Sequence, residues 1–444
     1  MRNFFKNGFL CALVLCLSAV PAPAFAAEGV THLSLRQAVE MALKNNPEAL
    51  IAQERVSESG ARKLRAISAL LPHLFGAVSE ERIWKENLAA LGFPEGGLIG
   101  PFNTFDARIE GAFTLFDANA SELLRVGITE ERIAALESEY AKEQLTAATA
   151  LAYIDALKSF GELKAATADF SLARRLELEA QHQHDSGFAT HVDLVRAQTR
   201  SADQSLKLQK ARLDFFQSRL QLERVTGLPL GIRIRLSDSL NFFRENKIPS
   251  RDEAFEIARK NRLELQIADK KIRSSGQRLG AAKAELLPKV DVNGSYGLSG
   301  LSPSDAPVAS QAGIEVKMPL FDGGGVQADI QESASRKRQQ EIASNDTERN
   351  VEEDVFLAFR RFDIEGEAVV TAEKALSLAQ QQLGLSKNRF STGVSNNIEL
   401  LTAQAELADA RQAYISTLAR YHMARVNLYA SLGQTNLFYL EKAK

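Results

Sequence analysis

Cysteine is almost missing from this sequence. The 444 residues contain two, Cys11 and Cys16, and both lie within the first 26 positions. So few thiols exclude a disulfide scaffold and a cysteine-ligated metal site in the rest of the chain. Proline is also sparse, with none between Pro101 and Pro229 and none after Pro319. Because proline interrupts helices, its absence over such spans favours long continuous helix.

An excess of either charge is missing too. Lysine and arginine number 54 and aspartate and glutamate 56, so the formal net charge is −2. Proteins that bind the phosphate backbone concentrate basic residues, and no nucleic-acid partner is therefore predicted. Beyond residue 26 no apolar run approaches the roughly 20 residues that a membrane helix needs. If the chain enters a membrane, it must do so as a β-barrel, because hydrocarbon does not tolerate unpaired backbone groups.

The N-terminus has the pattern of a secretory signal peptide. Arg2 and Lys6 precede an apolar run at positions 8–20, and Ala24-Phe25-Ala26 supplies a small-x-small cleavage motif. We therefore predict that residues 1–26 are a signal peptide and that the mature chain begins at about Ala27.

The rest of the chain is an internal repeat. Residues 60–72 read GARKLRAISALLP, and residues 276–288, which lie 216 positions later, read GQRLGAAKAELLP. Leu115-Phe116-Asp117 recurs 205 positions later as Leu320-Phe321-Asp322, so the first copy carries about ten extra residues between the two motifs. Ser34 with Gln37 and Ser250 with Glu253 form equivalent capping boxes. We predict a first repeat at 27–227, a linker at 228–249, a second repeat at 250–433 and a tail at 434–444.

The proline-free spans predict two long helical hairpins. They are rich in good helix formers and cover residues 118–226 and 325–432. A first helix over 118–185 would be roughly 100 Å long, far beyond an ordinary domain helix. Each hairpin should turn at a glycine, Gly187 or Gly393, and Asp117 and Asp322 are placed to cap the long helices.

Four segments alternate apolar and polar residues with the period of a strand, at about 72–84, 105–116, 288–298 and 311–321. Each has about the 10 to 12 residues that a tilted strand needs to cross a bilayer. Charge at alternate positions suits a water-filled lumen, while the other face is apolar enough for lipid. The predicted lumen residues are Asp106, Arg108, Glu110, Lys289, Asp291, Glu315 and Lys317.

Four strands cannot close a barrel of useful size, and an open sheet leaves two unpaired edges in hydrocarbon. The chain should therefore oligomerise. Eight strands from a dimer would leave room for side chains only, whereas twelve from a trimer would leave a pore. The alternative is a soluble sandwich with a half-buried sheet. It explains the long hairpins badly, because a soluble domain has no role for helices of that length.

The doubled motifs resemble those of the TolC-like outer-membrane efflux protein (OEP) family. L-L-P ends at Pro72 and Pro288, L-F-D ends at Asp117 and Asp322, and S/T-G-x-x-x-x-x-[DE]-L-[LV]-x-A-Q begins at each predicted tip. The resemblance covers essentially the whole mature chain. It implies a mainly α fold with a small β portion, in which long antiparallel hairpins form an α-barrel and each protomer gives four strands to a trimeric twelve-stranded transmembrane β-barrel.

The resemblance also implies a function. Members of the family are passive exit ducts of tripartite efflux pumps or type I secretion systems, in the outer membrane of Gram-negative-type bacteria with a large periplasmic portion. The expected partners are two further copies of the chain, outer-membrane lipid, a periplasmic adaptor (membrane fusion protein) and an energised inner-membrane pump of the RND, ABC or MFS type. A periplasm-spanning coiled-coil tether anchored in the outer membrane is the alternative.

Asp193 and Glu399 occupy equivalent positions near the starts of the two returning helices. One interpretation is helix capping at the third position, where a carboxylate satisfies backbone N–H groups. The other, by similarity to the acidic constriction of the family, is a three-fold ring at a closed tip that makes the pore cation-selective. The family resemblance also makes the tips the candidate adaptor contacts, at Gly187, Phe188, Gly393 and Val394.

No catalytic constellation is found. The sequence contains no P-loop, G-x-S-x-G, H-E-x-x-H or EF-hand motif. His182, His184 and His191 cluster near the first tip, but residues two apart on a helix face different ways. We predict no metal, no cofactor and no enzyme activity. An envelope enzyme is a disfavoured third hypothesis, and the transported substrate cannot be read from these residues.

Overall fold

The computed structural model describes residues 31–87, 98–242, 250–392 and 397–435. The predicted signal peptide and the second tip at Gly393 and Val394 lie outside these residues. The eight strands are β1 (Thr31–Leu33), β2 (His73–Ile83), β3 (Glu86–Asn87), β4 (Leu98–Ile99), β5 (Phe102–Phe116), β6 (Ile234–Leu236), β7 (Lys289–Gly300) and β8 (Val308–Lys317). The eight helices are α1 (Leu35–Asn45), α2 (Pro47–Ser68), α3 (Ala118–Asp185), α4 (His191–Thr226), α5 (Arg251–Asn261), α6 (Leu263–Ala284), α7 (Gly325–Ser391) and α8 (Asn397–Ser431).

Two antiparallel hairpins of long helices dominate the fold. The first consists of α3, which has 68 residues, and α4, and the second of α7, which has 67, and α8. Asp117 caps α3 by accepting a hydrogen bond from the Ala120 N–H. The prediction that Asp322 is the N-cap of α7 is wrong in position, because Gly324 with φ of 93° is the N-cap. The Asp322 carboxylate nevertheless accepts from the N–H groups of Gly324 and Val326.

A four-stranded antiparallel sheet joins the two repeats in the order β2-β5-β7-β8. Three of its strands lie close to the segments with period-two alternation. The fourth, β8, begins at Val308 and ends at Lys317, so Met318 and Leu320 lie outside it. Pro319 has no N–H to donate to a ladder, so strand pairing stops before it although the alternation in the sequence continues.

A small layer of short helices and strands packs against the long helices of the two hairpins. β1 and β6 form a parallel pair that the sequence patterns did not reveal. Ser34 and Ser250 cap α1 and α5 through the predicted capping boxes. Leu33 and Tyr153 lie in the hydrophobic core beside this layer. The core is therefore built where α1 and the β1–β6 pair cover the long helices.

The predicted fold class, mainly α with long antiparallel hairpins and four strands in one sheet, is confirmed. Among the helices described, none combines the length and the apolar composition needed to cross a membrane.

Candidate functional site

The first candidate surface is one face of the four-stranded sheet. Opposed residues of an antiparallel pair project to the same face, so the strand register assigns side chains to faces. Glu110 lies opposite Ser295, Thr114 opposite Asp291, and Asp291 opposite Glu315. Lys289 lies opposite Lys317 on the same face. All seven predicted lumen residues therefore share one face of the sheet.

The charges on this face neutralise one another locally. Arg108 pairs with Asp106, and Lys317 Nζ lies 2.9 Å from Glu315 Oε2. Lys289 Nζ lies 3.6 Å from carboxylate oxygens of both Asp291 and Asp117. Ion pairs of this kind keep the charged face hydrated without a large net field, as a water-filled passage needs.

The opposite face of the sheet is apolar and open. Ile109 lies opposite Tyr296, and Val292 opposite Ile314. Large apolar side chains on this face are mostly exposed, with Ile314 at 71% and Val78 at 76%. A contiguous exposed apolar face marks contact with lipid or with another protein.

The second candidate surface is the first hairpin tip. α3 ends in a left-handed Gly187 with φ of 78°, and the Phe188 N–H donates to the Gln183 carbonyl at 2.8 Å. This Schellman-type closure is the turn that the sequence predicted. Phe188 is 89% exposed, although it is a large apolar residue. The tip therefore presents an aromatic ring to solvent on a hydrogen-bonded turn.

The capping interpretation of Asp193 is confirmed. Thr190 Oγ1 donates to Asp193 Oδ2 at 2.6 Å, and the Asp193 N–H donates back to Thr190 Oγ1. Glu399 also contacts α7, because Arg389 Nε lies 3.6 Å from its Oε1 and Ser386 Oγ donates to the same atom at 3.5 Å. Through these two contacts its carboxylate links the two helices of the second hairpin.

A groove between α4 and α8 lies beside the tips, and sequence reasoning did not find it. It has a volume of about 680 Å³, and its lining combines apolar with polar and charged side chains. The apolar ones include Val192, Val195, Ile398 and Leu401, and the charged ones are Arg196, Arg200 and Asp203. Val192 is 56% and Ile398 is 48% exposed. The only signal in the sequence was the pair of apolar residues at matching positions in the first turn of each helix, Val192 and Ile398.

An ion pair joins the two hairpins away from the tips. Arg411 of α8 donates to Asp169 of α3. Burial raises the pKa of the Asp169 carboxyl, and the charge of Arg411 opposes that rise. Gln204 of α4 and Gln404 of α8 are each 2% exposed. No sequence pattern marked the Asp169–Arg411 pair, because the two residues come together only through helix packing.

Two of the histidines near the first tip, His184 and His191, have their rings in contact at a tilted angle. The rings of His184 and His191 have centroids 5.5 Å apart, and His184 Nδ1 lies 3.2 Å from the Ala189 carbonyl oxygen. Within the described residues no group of three or more His, Cys, Asp or Glu side chains could hold a metal ion. The contacts of these rings are those of a turn held together by its own side chains.

Comparison with known proteins gives a consistent result. Residues 254–434 match the family described as outer membrane efflux protein. Nodulation protein T of Rhizobium leguminosarum bv. trifolii is 25% identical over 335 residues, which are 71% of this chain and 70% of that protein. Alkaline protease secretion protein AprF of Pseudomonas aeruginosa is 22% identical over 410 residues, which are 88% of this chain and 84% of that protein.

Solved structures share the fold. The Campylobacter jejuni CmeC outer membrane channel aligns with a TM-score of 0.82 at 16% identity, over 93% of this chain and 91% of that one. The outer membrane protein VceC of Vibrio cholerae aligns with a TM-score of 0.78 at 16% identity, over 90% and 96%.

Proposed function

We propose that this chain is a TolC-like outer membrane efflux protein, three copies of which form the passive exit duct of a tripartite efflux pump or a type I secretion system. The observation that carries the proposal is the four-stranded sheet, which has a charged face, an exposed apolar face and two open edges in the described chain. A sheet of this kind is complete only when neighbouring copies pair with its edges.

The two faces of the sheet fit the two environments of a barrel wall. The apolar face, which includes Val78 and Ile314, would contact outer-membrane lipid. The charged face, which includes Arg108 and Asp291, would line the aqueous lumen. Twelve strands from three copies are enough to enclose a pore, whereas four or eight are not.

The hairpin tips supply the proposed docking site for a periplasmic adaptor. Phe188 is the best single candidate, because it is a large, exposed aromatic side chain on a hydrogen-bonded turn and aromatic residues dominate the energetics of protein contacts. Gly187 sets its position, and Gly393 and Val394 are the equivalent residues of the second tip. The adaptor would in turn recruit an energised inner-membrane pump of the RND, ABC or MFS type.

Glu399 is the proposed charge of the gate. Three copies related by a three-fold axis would place three Glu399 carboxylates around the passage, and a ring of this kind favours cations. Within each protomer the Arg389–Glu399 contact would fix the position of the Glu399 carboxylate against α7. Asp193 is the weaker candidate, because its carboxylate is engaged in the capping box of α4.

The tether remains the competing function, and the doubled hairpin argues against it. A tether needs neither two equivalent hairpins nor a charged sheet face. The absence of a catalytic motif from the sequence likewise supports a passive role, without enzyme activity and without a cofactor.

The decisive experiment is conductance of the purified protein in a planar lipid bilayer, and a duct is expected to give discrete channel openings. A tether would give none. Photo-crosslinking from a probe at Phe188 in native cells then tests the docking, with a matched probe at Leu230, which is also apolar and 70% exposed but lies beyond α4. Capture of a periplasmic adaptor by the first probe alone is expected, and equal capture by both would contradict docking at the tip.

A further inference from the structure

Glu110 is the exception to the local pairing of charges on the charged face of the sheet. The other residues predicted to line the lumen all take part in ion pairs. The Glu110 carboxylate makes no hydrogen bond and no ion pair with any part of the chain that the structure describes. It lies opposite Phe75 of β2 on one side and Ser295 of β7 on the other. Its negative charge is therefore left for a cation from solution.

The equivalent carboxylate of the second repeat is paired within the chain. Glu315 follows Glu110 by 205 positions, and its Oε2 lies 2.9 Å from Lys317 Nζ. The residue that corresponds to Lys317 in the first repeat is Ala112, again 205 positions earlier. The first repeat thus has the carboxylate but lacks the ammonium group that accompanies it in the second.

The facing strand differs in the same sense. Phe75 stands where the second repeat has Asp291, 216 positions later. The strand pairing is the same in both repeats, since Phe75 lies opposite Glu110 and Asp291 opposite Glu315. Phe75 is 59% exposed, and the His73 ring lies nearly parallel to it with centroids 6.3 Å apart. Because the face of an aromatic ring attracts cations, the first repeat has a group suited to an organic cation where the second has a carboxylate.

The unpaired carboxylate and the aromatic ring lie in one groove on the charged face, with a volume of about 500 Å³. The groove is also lined by Asn293, Ser295 and Gln311, whose side chains make no hydrogen bond within the described chain. Asn293 is flanked by Ala112 and Gly313, and a Cβ added at Gly313 would meet nothing within 4 Å. A groove of this size with a few polar groups is in the range of small-molecule sites.

We propose that this groove binds organic cations that pass through the duct, namely quaternary or protonated amines that carry an apolar or aromatic group. The ammonium group would lie over Ala112, where the second repeat has a lysine side chain, and pair with the Glu110 carboxylate. The apolar part would pack on the Phe75 ring, and the amides of Asn293 and Gln311 would bind polar substituents. The inference rests on the proposed function, because the groove faces the lumen only if the charged face lines it.

Binding of benzyltrimethylammonium to the protein in lipid nanodiscs tests the proposal, in a ligand-observed NMR titration with empty nanodiscs as the blank. Tetramethylammonium, which has the same charge but no ring, should bind about two- to fivefold more weakly. Ala112→Lys is the most direct variant, because the chain then supplies the ammonium group that the ligand would bring, and it should abolish saturable binding. Ser79→Lys is the matched control, since it adds the same charge to the same face about 14 Å from Phe75 at roughly 3.4 Å per residue. It should change the dissociation constant by less than about twofold.

Two further variants separate the charge from the ring. Glu110→Gln should weaken binding about fivefold. Glu81→Gln removes the same charge from the same face, opposite Thr104, and should have less than about half of that effect. Phe75→Leu should weaken binding about two- to fivefold, whereas Phe75→Tyr keeps an aromatic ring and should bind like the parent.

Planar-bilayer conductance of the same preparations separates this inference from the proposed function. Channels without saturable binding of benzyltrimethylammonium would overturn the site and leave the duct standing. An equal loss of binding in Ala112→Lys and Ser79→Lys would do the same, because it would show a general effect of charge. Binding in the expected pattern by a preparation that forms no channels would overturn the proposed function and keep the groove as a cation site.

Discussion

Asp169 of α3 and Arg411 of α8 form an ion pair that joins the two helical hairpins. The side chain of Asp169 is 11% exposed and that of Arg411 is 28% exposed, so solvent screens the pair only in part. The two residues are 242 positions apart in sequence. This contact fixes one hairpin against the other, and it has no counterpart of the same charges in the repeat, where Ala375 and Ser205 stand at the equivalent positions.

Replacing Arg411 by methionine should destabilise the chain by about 2 kcal/mol at neutral pH, because it leaves the mostly buried Asp169 carboxylate without its counter-charge. Urea unfolding followed by circular dichroism measures the loss. Glu365→Gln is the matched control, since it breaks the more exposed Arg420–Glu365 pair and should cost less than about 1 kcal/mol. Equal losses in the two variants would contradict a special role of the Asp169–Arg411 pair.

Gly227→Ala should destabilise the chain more than Gly187→Ala. Both glycines have positive φ, 68° and 78°, so each alanine meets a backbone cost of about 1 kcal/mol. At Gly227 the new Cβ would also lie 2.8 Å from the Asn45 Cβ, whereas nothing lies within 4 Å at Gly187. The crowding adds about 1 to 3 kcal/mol. Comparison of urea midpoints checks the order, and a larger effect at Gly187 would contradict it.

Glu143 should make the stability depend on pH. Burial and, to a smaller extent, the nearby Glu264 carboxylate raise the pKa of its carboxyl to about 7, although Arg262 acts in the opposite direction. The unfolded carboxyl titrates near 4.5, so between these values the folded chain holds the extra proton and stability falls as pH rises. Glu143→Gln should therefore gain stability at pH 8 and change little at pH 4.5.

The gain at pH 8 is expected to be about 1 kcal/mol, since the half-exposed carboxyl is screened by solvent. Urea unfolding at the two pH values measures it. Glu58→Gln, at an exposed position of α2 and paired with Arg62, is the control and should show no such difference. A variant at Glu143 that keeps the pH dependence of the parent would show that another group causes it.

Glu399→Gln should lower the cation preference of the channel in planar-bilayer recordings, because it removes three charges from the proposed ring at the tip. The reversal potential in a salt gradient measures this preference. Glu40→Gln removes the same charge from an exposed position on α1 and should leave the reversal potential unchanged. Unchanged selectivity in the Glu399 variant would show that the Glu399 carboxylates do not set the cation preference.

The sequence alone predicted the long helices of the first hairpin and the residues at which they begin and end. The proline-free spans, Asp117 as a cap and Gly187 as a turn are local features, and helices α3 and α4 begin and end where these features predict. The alternation around Phe105 to Phe116 likewise placed β5, and it assigned the charged residues to one face. The end of β8 was less predictable, because alternation continued through Met318 and Leu320 where Pro319 prevents pairing.

Other features were decided by tertiary structure. The β1–β6 pair, the groove beside Val192 and Ile398 and the Asp169–Arg411 ion pair join residues that lie far apart in sequence, and no local signal marks such partners. Periodicity in a sequence reports which face of an element is apolar, since that depends only on residue spacing. Which surfaces those faces meet depends on how the long helices pack, and that packing is settled by side-chain fit across the whole molecule.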